Sequence, residues 1–492
     1  MTTPPLAFID GDWRQGAGPI VATRGPLGED KPRYHAADRA DVDAAMATLA
    51  RGFLRWSATP RGEREQILQR YAVLAAGAVD RVAAVLADEV GKPMWECLEE
   101  ANALAGKVDL TIAAMHERAV DTQRELAGFR GAVRHRPHGV FAVFVPYNLP
   151  AHLPNGHLLP ALLAGNTVAI KASELAPRTS MLMVELLLAA GLPSDAIALL
   201  PGGRATGEAL IENKALRGVA FTGSSATGRA IHKALGGRTE VIAALEMGGN
   251  NPMVVLQDSD PAVVGPLAVL SSMMTTGQRC TSARRLIVLH GERGDAVVAA
   301  ATAAAADLRI DHARAEPEPF CGPLVAPEAA DAVFAAWERR VALGGRVLLP
   351  MRRLALSPAA LSAGVIDVTD VVDLPDEEVF GPLLHIIRVA DEKEAFARAA
   401  ATRYGLSAAL IGGDTAAFTR FRDAVPAGIC NHNRPTNGAL STQPFGGTGH
   451  SGNHRPAGWA SVDYCVWPMA STESPEASLP AHLPPGLVRG AP

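Results

Sequence analysis

Apolar residues recur at helical spacing through residues 41–120, in "DVDAAMATLARGFLRW" and again in "REQILQRYAVLAAGAVDRVAAVLADEV". That period predicts helices packed by one face, with polar breaks between them. After residue 131 the pattern changes. "GAVRHRPHGVFAVFVPYN" contains the unbroken apolar run 140–145, the mark of a strand buried on both faces, and "NTVAIKASE" holds a second such run. "TSMLMVELLLAAGLP" predicts a helix closed by Gly191 and Pro193, and "IALLPGG" and "GVAFTGSS" read as further strand-to-turn passages. Strands alternating with helices imply a parallel, doubly wound sheet. A second set of the same signals runs from "NPMVVLQ" at 251 to about 430, through "RRLIVLH", the alanine-rich "AVVAAATAAAA", "GGRVLLP" and "LSAALIGG". Two α/β units of similar size are expected, without an internal repeat. The final stretch, "STESPEASLPAHLPPGLVRGAP", is rich in proline and serine and predicts an extended tail.

Composition narrows the class. A chain of 492 residues, 48% hydrophobic and 20% charged, can bury large cores and is long enough for two or three domains. A net charge of -5 without a basic cluster excludes general nucleic-acid binding. The alanine-rich run at 296–306 lies between Asp295 and Asp307, far short of the roughly 20 apolar residues that span a membrane. The start, "MTTPPLAFIDGDW", lacks the basic and apolar regions of a secretory signal, so a cytoplasmic location is expected. Cys97, Cys280, Cys321, Cys430 and Cys465 are odd in number and widely spaced, which predicts neither a disulfide framework nor a metal site.

Several segments carry candidate chemistry. In "TTGQRCTSARRL", Cys280 has Arg279 before it and Arg284 and Arg285 after it. A free thiol with a pKa near about 8.5 is mostly protonated at neutral pH. Cys280 therefore reads either as a buried structural thiol or as a nucleophile whose thiolate is favoured by those cations. "GTGHSG" at 447–452 matches a dinucleotide fingerprint by letter, yet it follows "STQPF" and precedes "NHRPAG", not a strand and a helix. "GVAFTGSSATGRAIHKAL" is the better candidate. Its apolar run leads into Gly223, Ser224, Ser225, Ala226, Thr227 and Gly228 and then a helix, whose first amides could take a phosphate or simply be capped by serine. "FVPYNLP" sets Asn148 just after a buried strand. "ALEMGGNNP" sets Glu246 before a glycine pair, and "DEEVFGPLL" sets Glu378 and Phe380 before a glycine turn.

Taken in order, "PYNLP", "KASE", "FTGS", "LEMGGN", "GQRC", "EEVFGP" and "PFGG" resemble the aldehyde dehydrogenase superfamily over nearly the whole chain. The resemblance implies two doubly wound α/β domains, a Rossmann-type NAD domain and a catalytic domain, plus a small β arm for oligomerisation. It assigns 1–120 and 140–248 to the first, 249–440 to the second, 121–139 and 441–470 to the arm, and 471–492 to the tail. It makes Cys280 the nucleophile, Asn148 with the Cys280 amide the oxyanion site, and Glu246 the base that activates water, which favours hydrolysis over transfer to a thiol. Lys171 and Glu174 would hold the adenosine ribose, 223–228 the pyrophosphate, and Glu378 with Phe380 the nicotinamide side. One departure is Ala172, where the family has proline, and it predicts looser cofactor binding.

A carboxylate at Glu174 favours NAD over NADP, since it would repel a 2'-phosphate. The resemblance extends to wider detail, in "SGNHRPAGW" and "YCVWPMAS" among others, and that resemblance implies a succinylated glutamate semialdehyde of arginine catabolism as the small-molecule substrate. His152, Arg279, Arg455 and Phe445 are the expected substrate contacts. The alternatives are another carboxylated semialdehyde, or a non-catalytic descendant of the fold. The resemblance also implies a homodimer or homotetramer, built through a hairpin near 121–139 and a strand near 459–468.

Overall fold

The computed structural model describes residues 6–126, 128–479 and 482–487. The first of two seven-stranded sheets holds β1 (Ala7–Ile9), β2 (Asp12–Arg14), β3 (Val140–Phe144), β4 (Thr167–Lys171), β5 (Ile197–Leu200), β6 (Leu216–Gly223) and β7 (Ile242–Met247), in the spatial order β7-β6-β3-β4-β5-β1-β2. Strands β3 to β7 are parallel, and β1 and β2 add an antiparallel edge. All five residues of β3 are buried, which is why its apolar run shows no alternation. The chain steps from β3 outward to β4 and β5, then returns to lay β6 and β7 on the other side of β3. The order therefore reverses between β3 and β6. Ligands of such sheets bind beyond the carboxyl ends of the strands at that reversal, and the segments there are 145–148 and 223–228.

The second sheet holds β8 (Asn251–Val255), β9 (Ala283–Leu289), β10 (Arg346–Leu349), β11 (Gly364–Asp367), β12 (Leu383–Val389), β13 (Ser407–Ile411) and β14 (Ile429–His432), in the order β10-β11-β12-β9-β8-β13-β14. Only β10 pairs antiparallel. Strand β7 passes into β8 through Gly248, Gly249 and Asn250 alone. The carboxyl end of the first sheet thus meets the amino end of the second, and the loops of both are brought together.

The helical period of 41–120 is realised as Arg39–Ala58, Arg61–Gly77, Val79–Val90 and α1 (Met94–Arg118). Asp38 and Asp41 form a capping box at the first of these, Pro60 and Pro93 start the second and fourth, and Gly91 at φ 81° ends the third. Against them packs α2 (His152–Ala164), buried on nearly every side between the helices and the sheet. Among the described residues no helix is long and apolar enough to cross a membrane, and no acid, histidine or cysteine cluster could hold a metal ion.

A three-stranded antiparallel arm stands apart from both sheets, with Phe129–Pro137 between Thr122–Leu126 and Val466–Glu473. Here the chain differs from expectation. The stretch near 459–468 contains the helical turn Ser461–Cys465, and the strand begins at Val466 and runs to Glu473, inside the expected tail. The turn forms because Val462, Tyr464 and Cys465 are buried against α1 and α2, a tertiary demand that overrides local strand preference. Residues 474–479 and 482–487 carry neither helix nor strand, and 480, 481 and 488–492 of that tail lie outside the described residues.

Asn166, fully buried, roots the arm. Its Oδ1 accepts the amides of His138 and Gly139 at 2.8 and 3.1 Å, while Nδ2 donates to the carbonyls of Ala161 and Cys465 at 3.1 and 2.8 Å. Asn166→Ala should leave these groups buried and unpaired, at a cost of about 2–4 kcal/mol. The expected result is a melting temperature lowered by several degrees, with faster amide exchange at His138 and Gly139. Unchanged protection there would show that the arm is rooted elsewhere.

Candidate active site

Cys280 lies on the segment that joins the turn Met274–Gly277 to β9. Thr275, Thr276 and Gly277 are consecutive residues in the left-handed region, at φ 56°, 56° and 71°. Threonine rarely adopts that conformation, and it persists only where surroundings enforce it. The Thr275 hydroxyl donates to the Glu96 carboxylate, and Thr276 Oγ1 donates to the Gly322 carbonyl at 2.8 Å. A Cβ at position 277 would overlap the Gly381 carbonyl, so only glycine fits.

The carbonyls of this segment are held by side chains. Asn148 Nδ2 donates to Gln278 at 2.9 Å, and Asn251 Nδ2 donates to Cys280 and Ser282 at 2.7 and 2.9 Å. Arg284 donates to Gly277 at 2.7 Å and to Arg279 at 3.0 Å. Arg285 donates to the carbonyls of Asn250, Arg398 and Ala399. The two arginines that follow the cysteine therefore serve as framework, with their hydrogen bonds going to carbonyls, although the charge of Arg284 lies close enough to interact with the thiol.

Two carboxylates approach the thiol instead. Glu246, near the end of β7, is buried, and neither of its oxygens has a hydrogen-bond partner of complete geometry. Burial pushes its pKa up to about 8, the Cys280 thiol and Thr222 hydroxyl opposing this and Glu378 adding to it. Burial also pushes the Cys280 thiol well above its ordinary value, and the nearby charges of Glu246 and Glu378 push the same way. Glu378 is itself raised to about 7 by burial, against the pull of Arg284 and of the Gly249 amide, which donates to it at 3.2 Å. A Cβ at position 248 would overlap the Glu378 carboxylate, so a larger residue there would have to displace that acid. At rest the site holds a protonated thiol beside carboxylic groups that titrate near neutrality.

Cys280 and Glu246 open onto a cavity also lined by His152, Thr222, Arg279 and Phe445. Three of the four expected substrate contacts are thus brought together. Arg455 is not: it is exposed, outside the lining, and donates to the adjacent His454 carbonyl at 3.3 Å. The reason is local, since His454 at φ 64° reverses the chain before Pro456. Arg279 reaches the cavity, but its guanidinium pairs with Glu96 at 2.8 Å and donates to Thr275 Oγ1 at 2.7 Å. His152 is pushed down to about 4 by burial, with Lys107 the next cause, so it is neutral near pH 7. Lining residues that the sequence motifs did not mark include Lys107 and His157, while Thr222 lies within "FTGS" with no role implied for it there. Lys107 could have been found from its helical spacing to Glu96, Glu100 and Ala103.

Lys171 ends β4 and pairs with Glu174 at 3.2 Å, and Ala172 between them in sequence is fully buried. Gly223 ends β6, and α3 (Ser225–Ala234) follows. Ser224 caps this helix, accepting from the Thr227 amide at 3.3 Å. The cap leaves the amides of Ser225 and Ala226 without intrahelical partners at the start of the helix, on an otherwise exposed turn of Ser224, Ala226 and Thr227. Gly228 packs closely on Met247, whose side chain a Cβ there would push aside. Phe380 lies under the Arg284 guanidinium at 5.5 Å and edge-on to Tyr147 at 6.0 Å. The "GTGHSG" segment runs along the edge of β7, where the Met247 amide donates to Ser451 at 3.0 Å, and opens no helix.

The model of the aldehyde dehydrogenase family matches residues 17–467. N-succinylglutamate 5-semialdehyde dehydrogenase of Burkholderia thailandensis is 46% identical over 98% of this chain and 99% of its own. The enzyme of that name from Serratia proteamaculans is likewise 46% identical, over the same shares. Among solved structures, 1-pyrroline-5-carboxylate dehydrogenase from Thermus with bound NAD superposes with a TM-score of 0.90 at 27% identity, over 96% of this chain and 93% of that one.

The electrostatics of the thiol can be tested directly. Glu246→Gln removes a negative charge beside Cys280 and should lower the thiol pKa. Alkylation by iodoacetamide at pH 8 should speed up, by roughly tenfold for each unit of that fall. Slower alkylation would mean that Glu246 withdraws the thiol proton in the resting protein.

Proposed function

The chain belongs to the aldehyde dehydrogenase family, and on that premise we propose that it oxidises N-succinylglutamate 5-semialdehyde to N-succinylglutamate with NAD, in arginine catabolism. The observation that carries the chemistry is the juxtaposition of the Cys280 thiol with the buried Glu246 carboxylate in one cavity. The substrate follows from the two relatives, which match nearly end to end.

The residues present fit the cofactor. Lys171 and Glu174 would hold the adenosine ribose, and the turn from Gly223 through Ser224, Ser225, Ala226 and Thr227 to Gly228 the pyrophosphate, with the unpartnered amides at the start of α3 as donors. Glu378 and Phe380 would border the nicotinamide. The Glu174 carboxylate accepts hydrogen bonds from ribose hydroxyls and repels a 2'-phosphate, which supports NAD over NADP.

In the reaction, the Cys280 thiol loses its proton to solvent in the cavity and its sulfur adds to the aldehyde carbon. The oxygen becomes an oxyanion beside the backbone amide of Cys280 and the Asn148 side chain. Asn148 has one amide hydrogen on the Gln278 carbonyl and a second one free for this role. The hydride acceptor for the thiohemiacetal on Cys280, which becomes a thioester, is supplied by NAD. Glu246 in its unprotonated form then takes a proton from water, whose oxygen attacks the thioester carbon; the C–S bond breaks, the sulfur regains a proton and the acid leaves. Thr222, on the neighbouring strand, adds a hydroxyl beside Glu246.

The arm supports assembly into a homodimer or homotetramer. Its outer strand, Thr122–Leu126, is exposed at every residue and paired on one side only, an edge that another chain can cover. A cytoplasmic site of action belongs to the same proposal, where the NAD pool is available.

Cys280→Ala should abolish NADH formation while leaving NAD affinity nearly intact by calorimetry; near-normal turnover would end the mechanism. Glu246→Gln should give a burst of NADH and then a stalled steady state, because the thioester accumulates. A variant without a burst would place Glu246 in an earlier step. In the unaltered enzyme kcat should rise with pH through about 8, since the base is protonated below that value and free above it. A flat profile from pH 7 to about 9 would count against Glu246 as the base.

A further inference from the structure

Helix α1 turns one stripe toward the cavity: Glu96, Glu99, Glu100, Ala103 and Lys107, spaced so that they share a face. Two acids of this stripe, Glu96 and Glu100, are engaged within the fold, although one Glu96 oxygen is buried without a hydrogen bond. Glu96 holds Arg279 and the Thr275 hydroxyl. Glu100 holds Lys92 with one oxygen and the amides of Ala151 and His152 with the other, at 2.9 and 3.0 Å. Glu99 is exposed at the mouth. Lys107 is different. It is only 8% exposed, it lines the cavity, and among the described residues its ammonium meets no acceptor within hydrogen-bond or ion-pair distance.

A buried ammonium without a counter-charge is costly, and burial alone lowers its pKa here. Such a group is stabilised when an anion enters beside it. Its neighbours suit an incoming carboxylate. His152 is neutral with its Nδ1 buried and unpartnered, and Ser441 lines the same part of the wall as Lys107. Arg279, the cation that the sequence put forward, has its charge already matched by Glu96.

We propose that Lys107 binds a carboxylate of the aldehyde substrate, closing an ion pair that the fold leaves open and so selecting acidic semialdehydes over neutral ones. The proposal rests on the dehydrogenase reading above and deepens it: specificity comes from α1, through a residue outside every family motif.

The test compares N-succinylglutamate 5-semialdehyde with pentanal, which has a similar chain and no carboxylate, in the full-length enzyme with NAD. Lys107→Met should lower the ratio of kcat/KM for the acidic over the neutral aldehyde by about ten- to a hundredfold, mostly through KM. The inhibition constant of N-succinylglutamate should rise in parallel. Lys107→Arg should recover most of the ratio, because charge and not shape is what the site requires. An unchanged ratio in Lys107→Met, or an Lys107→Arg variant no better than it, would overturn the proposal. If the unaltered enzyme does not prefer N-succinylglutamate 5-semialdehyde to pentanal, the substrate assignment fails on its own. The same variants assayed with whichever acidic semialdehyde it does prefer, or with succinate semialdehyde if none, still decide the role of Lys107: a selective loss supports it and an equal loss overturns it.

Discussion

The site depends on one buried guanidinium. Arg284 is 1% exposed at the start of β9, and its donors grip the carbonyls of Gly277, Arg279 and Gly381 at 2.7, 3.0 and 3.3 Å. The same group faces Glu378 at 3.9 Å and covers the ring of Phe380. One side chain therefore sets the path of the cysteine segment and the position of the 378–381 turn on the opposite wall. A lysine could not do this, because three carbonyls in different directions need the planar fork of arginine. The left-handed Thr275 and Thr276 are sustained by this grip and by their own hydroxyl bonds to Glu96 and Gly322.

With the segment held in place, charge decides the chemistry. Both arginines after Cys280 are consumed by backbone carbonyls, so what the thiol senses most is burial and then two acids. The resting protein thereby keeps its sulfur protonated and poorly reactive toward stray electrophiles. Glu246 is buried with only weak contacts to the Cys280 thiol and Thr222 hydroxyl, which costs stability but leaves a carboxylate whose pKa lies near working pH, the range in which a base is most useful.

Much of this was legible in the sequence. The unbroken apolar runs marked β3 and β4 because strands covered on both faces have no reason to alternate, and the period of 41–120 marked the four N-terminal helices. The motifs marked Cys280, Glu246 and Asn148, which the fold brings around one segment. Other features were hidden because they are relations between distant parts of the chain. That Arg279 is spent on Glu96, 183 positions away, cannot be read from its neighbours. That Arg455 faces solvent follows from one backbone reversal at His454, and the helical turn before Val466 follows from what Tyr464 and Cys465 pack against. Lys107 resembled any lysine on an amphipathic helix until its missing partner could be seen.

Asn166 has a consequence for how the protein is made. Its Nδ2 is satisfied by the carbonyl of Cys465, 299 positions later. Likewise, the edge of β7 is covered by Ser451 and Asn453. On the ribosome, at roughly 5–20 residues per second, the first sheet, whose last strand ends at Met247, must wait on the order of 10–45 s for the segment that completes it. The nascent N-terminal half spends that interval with an open strand edge and an unfilled polar pocket. Holding such an intermediate soluble is work for the chaperones that meet the chain during translation, long before any substrate does.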